Sequence, residues 1–248
     1  MRTLLEREDV TPNTEDNEGR TPLSWAAGSG NDDAVKILLE RQDITPEIVD
    51  KDDRTPLSWA AGNGHEDVVR ILLGHEGVAP DIADKEGRTS LSRAAGNGHG
   101  EVVKMLLERG GITPDIADME VRTPLSWAAG NGHGEAVRML LGRGDVTPHI
   151  ADRGGRTPLS FAAQHGDIRV VNMFLAPPSV RRGIAETGLP HRTAPARFPN
   201  QQEGEVVNPL AGSQSSVPPS VSGDSSIDLS PPDPSESSQG PSKRIRRS

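Results

Sequence analysis

One interval constrains this chain more than any other property. Thr21, Thr55, Thr89, Thr123 and Thr157 stand 34 residues apart, and most of the residues around each recur with them. The fullest copy reads Arg54-Thr55-Pro56-Leu57-Ser58-Trp59-Ala60-Ala61-Gly62-Asn63-Gly64-His65. A strict period of this length marks a stack of like units, each burying its apolar face on the next, rather than one wound core.

Each copy carries its own start and stop signals. Thr55 stands where a helix cap belongs, and Pro56 follows at the first helical position, where a missing N–H costs nothing. Leu57, Ala60 and Ala61 share one face, and the alanine pair lets neighbouring helices approach closely. Gly64 ends this helix at a site that tolerates a left-handed backbone. A second helix is predicted from about Glu66 to Leu73, with Val68, Val69, Ile71, Leu72 and Leu73 as its buried surface. Pro46, Pro80, Pro114 and Pro148 stop any continuation, and an extended loop leads to the next Asp-x-x-x-Arg turn. The unit is helix, turn, helix, finger.

This unit resembles the ankyrin repeat, whose signature is Thr-Pro-Leu-His-x-Ala with a period of roughly 33 residues. The resemblance covers residues 1 to about 176 and implies an all-α solenoid. A partial repeat, second helix and loop only, occupies 1–16. Five repeats follow at 17–50, 51–84, 85–118, 119–152 and 153–176, and a Pro/Ser/Gly-rich tail fills 177–248. Two features depart from the family pattern. Ser24, Ser58, Ser92, Ser126 and Ser160 replace its usual histidine, and the loop, as in Val78 to Asp84, makes each unit one residue longer. The units are similar to filamentous-fungal ankyrin arrays, which often form the C-terminal part of larger signalling proteins.

The half unit bears on extent. Residues 1–16 align with 35–50, so the sequence begins inside a repeat and shows no polar capping unit. The expectation is a piece of a longer protein, or a monomer if no longer chain surrounds it. At the other end Asp167 stands in the histidine column and Phe174 in a leucine column, and Val170, Met173 and Phe174 are expected to leave an apolar end.

Composition narrows the function classes. The sequence has no cysteine, which removes the disulfide-stapled secreted class and thiolate metal sites. No signal-peptide or membrane-spanning run occurs, so the chain reads as intracellular, cytoplasmic or nuclear. The net charge of −9 is uneven: residues 1–176 hold 19 Lys+Arg and 29 Asp+Glu, whereas 177–248 hold 8 and 7. An acidic stack repels phosphate backbones, which excludes nucleic acid as a partner of the repeats.

What remains is a protein partner. Trp25, Trp59, Arg93, Trp127 and Phe161 occupy one column, which in the family lies on the inner helix and faces the concave groove. The resemblance implies an aromatic ladder there, with Arg93 stacking by cation–π contact between Trp59 and Trp127. The other reading of this column is a spacer that covers the groove without a dedicated ligand. The finger tips Asp52-Asp53, Lys85-Glu86, Met119-Glu120-Val121 and Arg153-Gly154 vary most between units and are placed to choose the partner. Asp16, Asp50, Asp84, Asp118 and Asp152 recur with Arg20, Arg54, Arg88, Arg122 and Arg156. They read as exposed pairs bridging unit to unit, each contributing about 0–1 kcal/mol.

Histidines His65, His99 and His133 also repeat, but side chains one unit apart are too distant to share a zinc ion, so each reads as a turn residue. Gly62-Asn63-Gly64 sits at a helix end and lacks the lysine of a phosphate cradle. Every candidate Ser, His or Asp has a repeat counterpart, which a unique catalytic site would not need. The reading is a non-enzymatic scaffold without cofactor or metal.

From Pro177 onward the composition cannot bury enough apolar surface to offset its ordering entropy, and disorder is expected. Lys243, Arg244, Arg246 and Arg247 form a candidate nuclear-import cluster. Ser225 to Ser230 resembles a SUMO-interacting motif, with Ser230-Pro231 a candidate phosphosite. Three functions stay open: an interaction module, a nuclear regulator using the basic cluster, and a fragment of a larger protein without independent activity.

Overall fold

The computed structural model describes residues 11–177, which form ten helices and, among the described residues, no strand. The half repeat's helix, the tail motifs and the basic cluster Lys243–Arg247 lie outside the described residues.

Five inner helices, α1 (Pro22–Gly28), α3 (Pro56–Asn63), α5 (Ser90–Asn97), α7 (Pro124–Gly130) and α9 (Pro158–His165), alternate with five outer ones. The outer helices are α2 (Asp32–Leu39), α4 (Glu66–Gly74), α6 (Gly100–Glu108), α8 (Gly134–Gly142) and α10 (Ile168–Leu175). Each inner helix packs on the next inner helix and each outer on the next outer, giving two layers. Every inner helix starts as the sequence dictates. Thr21, Thr55, Thr89, Thr123 and Thr157 are N-caps whose hydroxyls accept the N–H three residues on.

The core is columnar. Leu23, Leu57, Leu91 and Leu125, then Ala27, Ala61, Ala95 and Ala129, are 0–1% exposed, and Val35, Val69, Val103 and Val137 are fully buried in the outer layer. Small and branched residues alternate between facing helices, so the layers close without rings.

Unit-to-unit cohesion is also polar. The Asn63 amide donates to the Gly28 carbonyl at 2.8 Å, and the His65 Nε2 lies 3.0 Å from the same oxygen. Asn97 and His99 repeat this on Gly62, and Asn131 and His133 on Gly96. The glycines beneath these rings are obligatory. Gly64 and Gly98 have φ of 76° and 82°, and a Cβ on either would lie 2.4 and 2.6 Å from Nδ1 of the next repeat's histidine. Finger tips add a backbone chain: Lys51 N–H donates to Glu18, Lys85 to Asp52, Met119 to Glu86 and Arg153 to Glu120, at 2.9–3.0 Å.

The open end of α9 and α10 differs from the sequence expectation. Val170 and Phe174 are buried against the fourth repeat, and Met173 is half-buried. The face left open carries Ala163 and Leu175 instead, with Leu175 66% exposed. Columns facing the preceding unit are covered; those facing onward are not.

Two residues in this framework carry a local cost. Val121 has φ 62° at a position that is glycine in three of the five units. A β-branched residue in that region costs about 1–2 kcal/mol. Ser90 replaces the first-turn proline of the other four units, and its hydroxyl is buried without a partner. We predict that the Val121→Gly, Ser90→Pro double variant gains about 1–3 kcal/mol in urea unfolding, from removed strain and a restricted unfolded chain. An unchanged or lower midpoint would show that neither position carries such a cost.

Candidate partner-binding face

The inner helices set the column Trp25, Trp59, Arg93, Trp127 and Phe161 along one face, as the spacing predicts. Each tryptophan ring is held by two partners from the finger turn that precedes its helix, and Phe161 by one. The indole N–H of Trp25, Trp59 and Trp127 donates to the carboxylate of Asp16, Asp50 and Asp118 at 3.0–3.1 Å. The guanidinium of Arg20, Arg54 and Arg122 lies 4.0 Å from the centroid of the same ring, and that of Arg156 lies 4.6 Å from Phe161. The cation–π contacts therefore run within units.

Arg93 does not stack between Trp59 and Trp127. Its Nε donates to Asp84 at 2.9 Å, and its Nη2 reaches the same oxygen, so it replaces the tryptophan N–H rather than its ring. A charged side chain in this half-buried column would be left unpaired elsewhere, and Asp84 lies beside it. Burial pulls the Arg93 pKa down, with Asp84 opposing.

The aspartate row likewise departs from the exposed, bridging pairs expected. Asp50, Asp84, Asp118 and Asp152 have side chains 0–2% exposed, and each pairs with the arginine four residues on in its own finger turn. One carboxylate oxygen of Asp50 accepts the backbone N–H groups of Asp52 and Arg54, while the other takes the Arg54 Nε and the Trp59 indole. The carboxylate folds the finger base into a closed turn. Asp16 serves the first unit in the same way but is 32% exposed.

These contacts hold several carboxyls below their ordinary range. For Asp16 and Asp152 the main cause is the backbone N–H at Arg20 and Arg156. For Asp50, burial pushes upward but is outweighed by the N–H groups of Arg54 and Asp52 and by the Arg54 side chain. A depressed folded-state pKa contributes stability that is complete above the unfolded value near 4 and is lost as pH falls through the folded value. The urea midpoint is therefore expected to be flat from pH 7 to 5 and to fall below about pH 4. A midpoint that rises on acidification would contradict these assignments.

Of the finger tips, Asp52 and Asp53, Lys85 and Glu86, and Met119 and Glu120 are exposed, as is Arg153. Met119 is 61% exposed. His65, His99 and His133 take part in the stacking bonds above, and no cluster of three metal-ligating side chains occurs among the described residues. Sequence reading missed a cleft of about 160 Å³ between Trp25 and Trp59, floored by Gly28. The available signal was that these are the only adjacent tryptophans in the column. It also missed Arg109 and Arg143, which hold carbonyls of Leu73 and Leu107 in the preceding units.

Among the described residues no helix is long and apolar enough to cross a membrane. In comparisons with known families, the model for ankyrin repeats in three copies matches residues 41–118 and 111–182, and that for a single ankyrin repeat matches 18–51. No curated protein matches the sequence. Ankyrin repeats are generally protein–protein interaction modules and typically non-enzymatic. With the 34-residue period, the paired helix layers and these matches in agreement, the chain belongs to the ankyrin-repeat family.

Proposed function

We propose that this array is a scaffold that binds a partner protein through its inner-helix face and finger tips. One observation carries the reading. The residues that recur in every unit have their contacts inside the stack, whereas the exposed tips differ from unit to unit. Asp53, Lys85, Met119, Glu120 and Arg153 change charge and size between neighbouring fingers while the backbone beneath them keeps one geometry. A surface of this kind binds without an ordering cost, and its variable side chains select the partner.

The test is a capture experiment with the full chain and two surface variants. The finger variant carries Lys85→Ala, Met119→Ala, Glu120→Ala and Arg153→Ala; the control carries Glu66→Ala and Arg70→Ala on outer helix α4. A partner retained by the control and lost by the finger variant supports the reading. A partner lost only by the outer-helix variant overturns it.

A further inference from the structure

The cleft between Trp25 and Trp59 has walls whose polar capacity is already used. Both indole N–H groups are bonded to Asp16 and Asp50. The Ser29 hydroxyl donates to the Trp25 carbonyl, and the Asn63 amide to the Gly28 carbonyl. Arg20, ion-paired with Asp16 and stacked on the Trp25 ring, also lines the cleft, and the rest of what faces it is mainly ring and methylene. A volume of about 160 Å³ matches one leucine- or methionine-sized group, since apolar cavities of roughly 150 Å³ accept a benzene molecule. Trp25 is 53% exposed, so one wall is open to an incoming chain, and tryptophan is the residue type most enriched at binding hot spots.

Charge around the cleft is lopsided. Residues 11–66, which build it, contain 5 Lys+Arg and 12 Asp+Glu, a net of −7; residues 67–177 contain 12 and 14, a net of −2. Glu15, Glu18, Asp52 and Asp53 are exposed on the two fingers of the same units; Lys51 is exposed beside them and Arg54 pairs with Asp52. Most of the described stack's net negative charge, −7 of −9, lies in the units that carry the apolar slot.

We propose that this cleft is the anchor of the binding face, and that it takes one large aliphatic side chain from an extended segment flanked by lysine or arginine. The inference rests on the scaffold reading above and names the chemistry of the partner. The aliphatic group fills the slot over Gly28, and the flanking cations meet the finger carboxylates, which steer the encounter and weaken with salt.

The experiment measures fluorescence anisotropy of a labelled nonapeptide with four arginines around a central leucine, titrated with the full chain. Two control peptides replace the leucine by serine or the arginines by glutamates. Binding is expected to be saturable, at least tenfold weaker for either control, and weaker in higher salt. Trp25→Ala removes a wall. Gly28→Ala fills the floor, because its Cβ would sit 3.7 Å from the Trp59 side chain, an ordinary contact that leaves the fold intact. Both variants are expected to lose at least tenfold, whereas the Glu66→Ala, Arg70→Ala variant, on outer helix α4 and with unchanged net charge, is expected to bind as the parent does. Equal binding of the serine control, or binding unaffected by Trp25→Ala and Gly28→Ala, overturns the anchor. If the captured partner of the previous section depends on the fingers but not on the cleft, the anchor fails while the scaffold reading stands. Dependence on the outer helices alone sinks both.

Discussion

Replacing Asp84 with alanine is expected to lower the unfolding free energy by about 3–5 kcal/mol, the largest single-residue loss outside the apolar core. The side chain is fully buried and accepts the backbone N–H groups of Glu86 and Arg88 together with the side chains of Arg88 and Arg93. Its removal leaves Arg93, with a side chain only 18% exposed, without its counter-charge. Breaking one partner of a buried pair costs more than the pair itself contributes, because the surviving charge stays desolvated. Asp152→Ala provides the scale. That carboxylate holds the same turn, but its one cation among the described residues is Arg156, whose side chain is 53% exposed and can return to water. Urea unfolding at pH 7 should therefore show a smaller loss for Asp152→Ala than for Asp84→Ala. Equal losses would mean that the turn hydrogen bonds matter and the Arg93 charge does not. Arg93→Trp adds an independent check. It restores the indole donor of the other units and should be neutral or stabilising, since the buried Arg93 charge is removed while Asp84 keeps Arg88 and the turn N–H groups.

The same residues show how far sequence carries. The helix pairs, their threonine caps and the leucine, alanine and valine columns were legible because a period repeats each signal five times. The second helix, predicted to end near Leu73, runs to Gly74. Roles that depend on direction were not legible. Sequence places Asp50 four residues from Arg54 but does not say that the carboxylate turns inward to take two backbone N–H groups and an indole as well. It therefore left the pair exposed and bridging. Arg93 looked like a stacking cation because two tryptophans flank it at 34 residues, yet the carboxylate of Asp84, nine residues back in the adjoining turn, offers a shorter path for the charge. Inter-unit bonds from Asn63 and His65 escaped notice for a related reason. Their acceptor is a main-chain carbonyl 35 and 37 residues back, and a carbonyl carries no sequence signature. The cleft is a volume set by ring positions in two units, so only the adjacency of Trp25 and Trp59 hinted at it.

Gly96→Gln is expected to destabilise the array by about 1–3 kcal/mol, whereas Gly96→Ala should be neutral or mildly stabilising. Gly28, Gly62, Gly96 and Gly130 form a column in which each glycine faces the side chain of the next unit's ladder residue. A Cβ at position 96 would lie 3.5 Å from the Trp127 Cβ, an ordinary contact that alanine fills while improving helix propensity. A glutamine must extend further, into the indole, and the fourth repeat has to tilt or the side chain leave its rotamer. The fifth unit supplies the natural comparison. Gln164 occupies this column on α9 and is exposed, because no inner helix packs beyond it among the described residues. An inner helix placed on α9 as α9 is placed on α7 would meet that side chain. The glycine column thus favours close stacking of the next inner helix, and Gln164 departs from it even though α10 still presents an apolar Leu175 outward. Urea unfolding followed by circular dichroism separates the outcomes. If glutamine and alanine at position 96 unfold at the same midpoint, the stack tolerates side chains between inner helices, and the glycines recur for helix-end geometry alone.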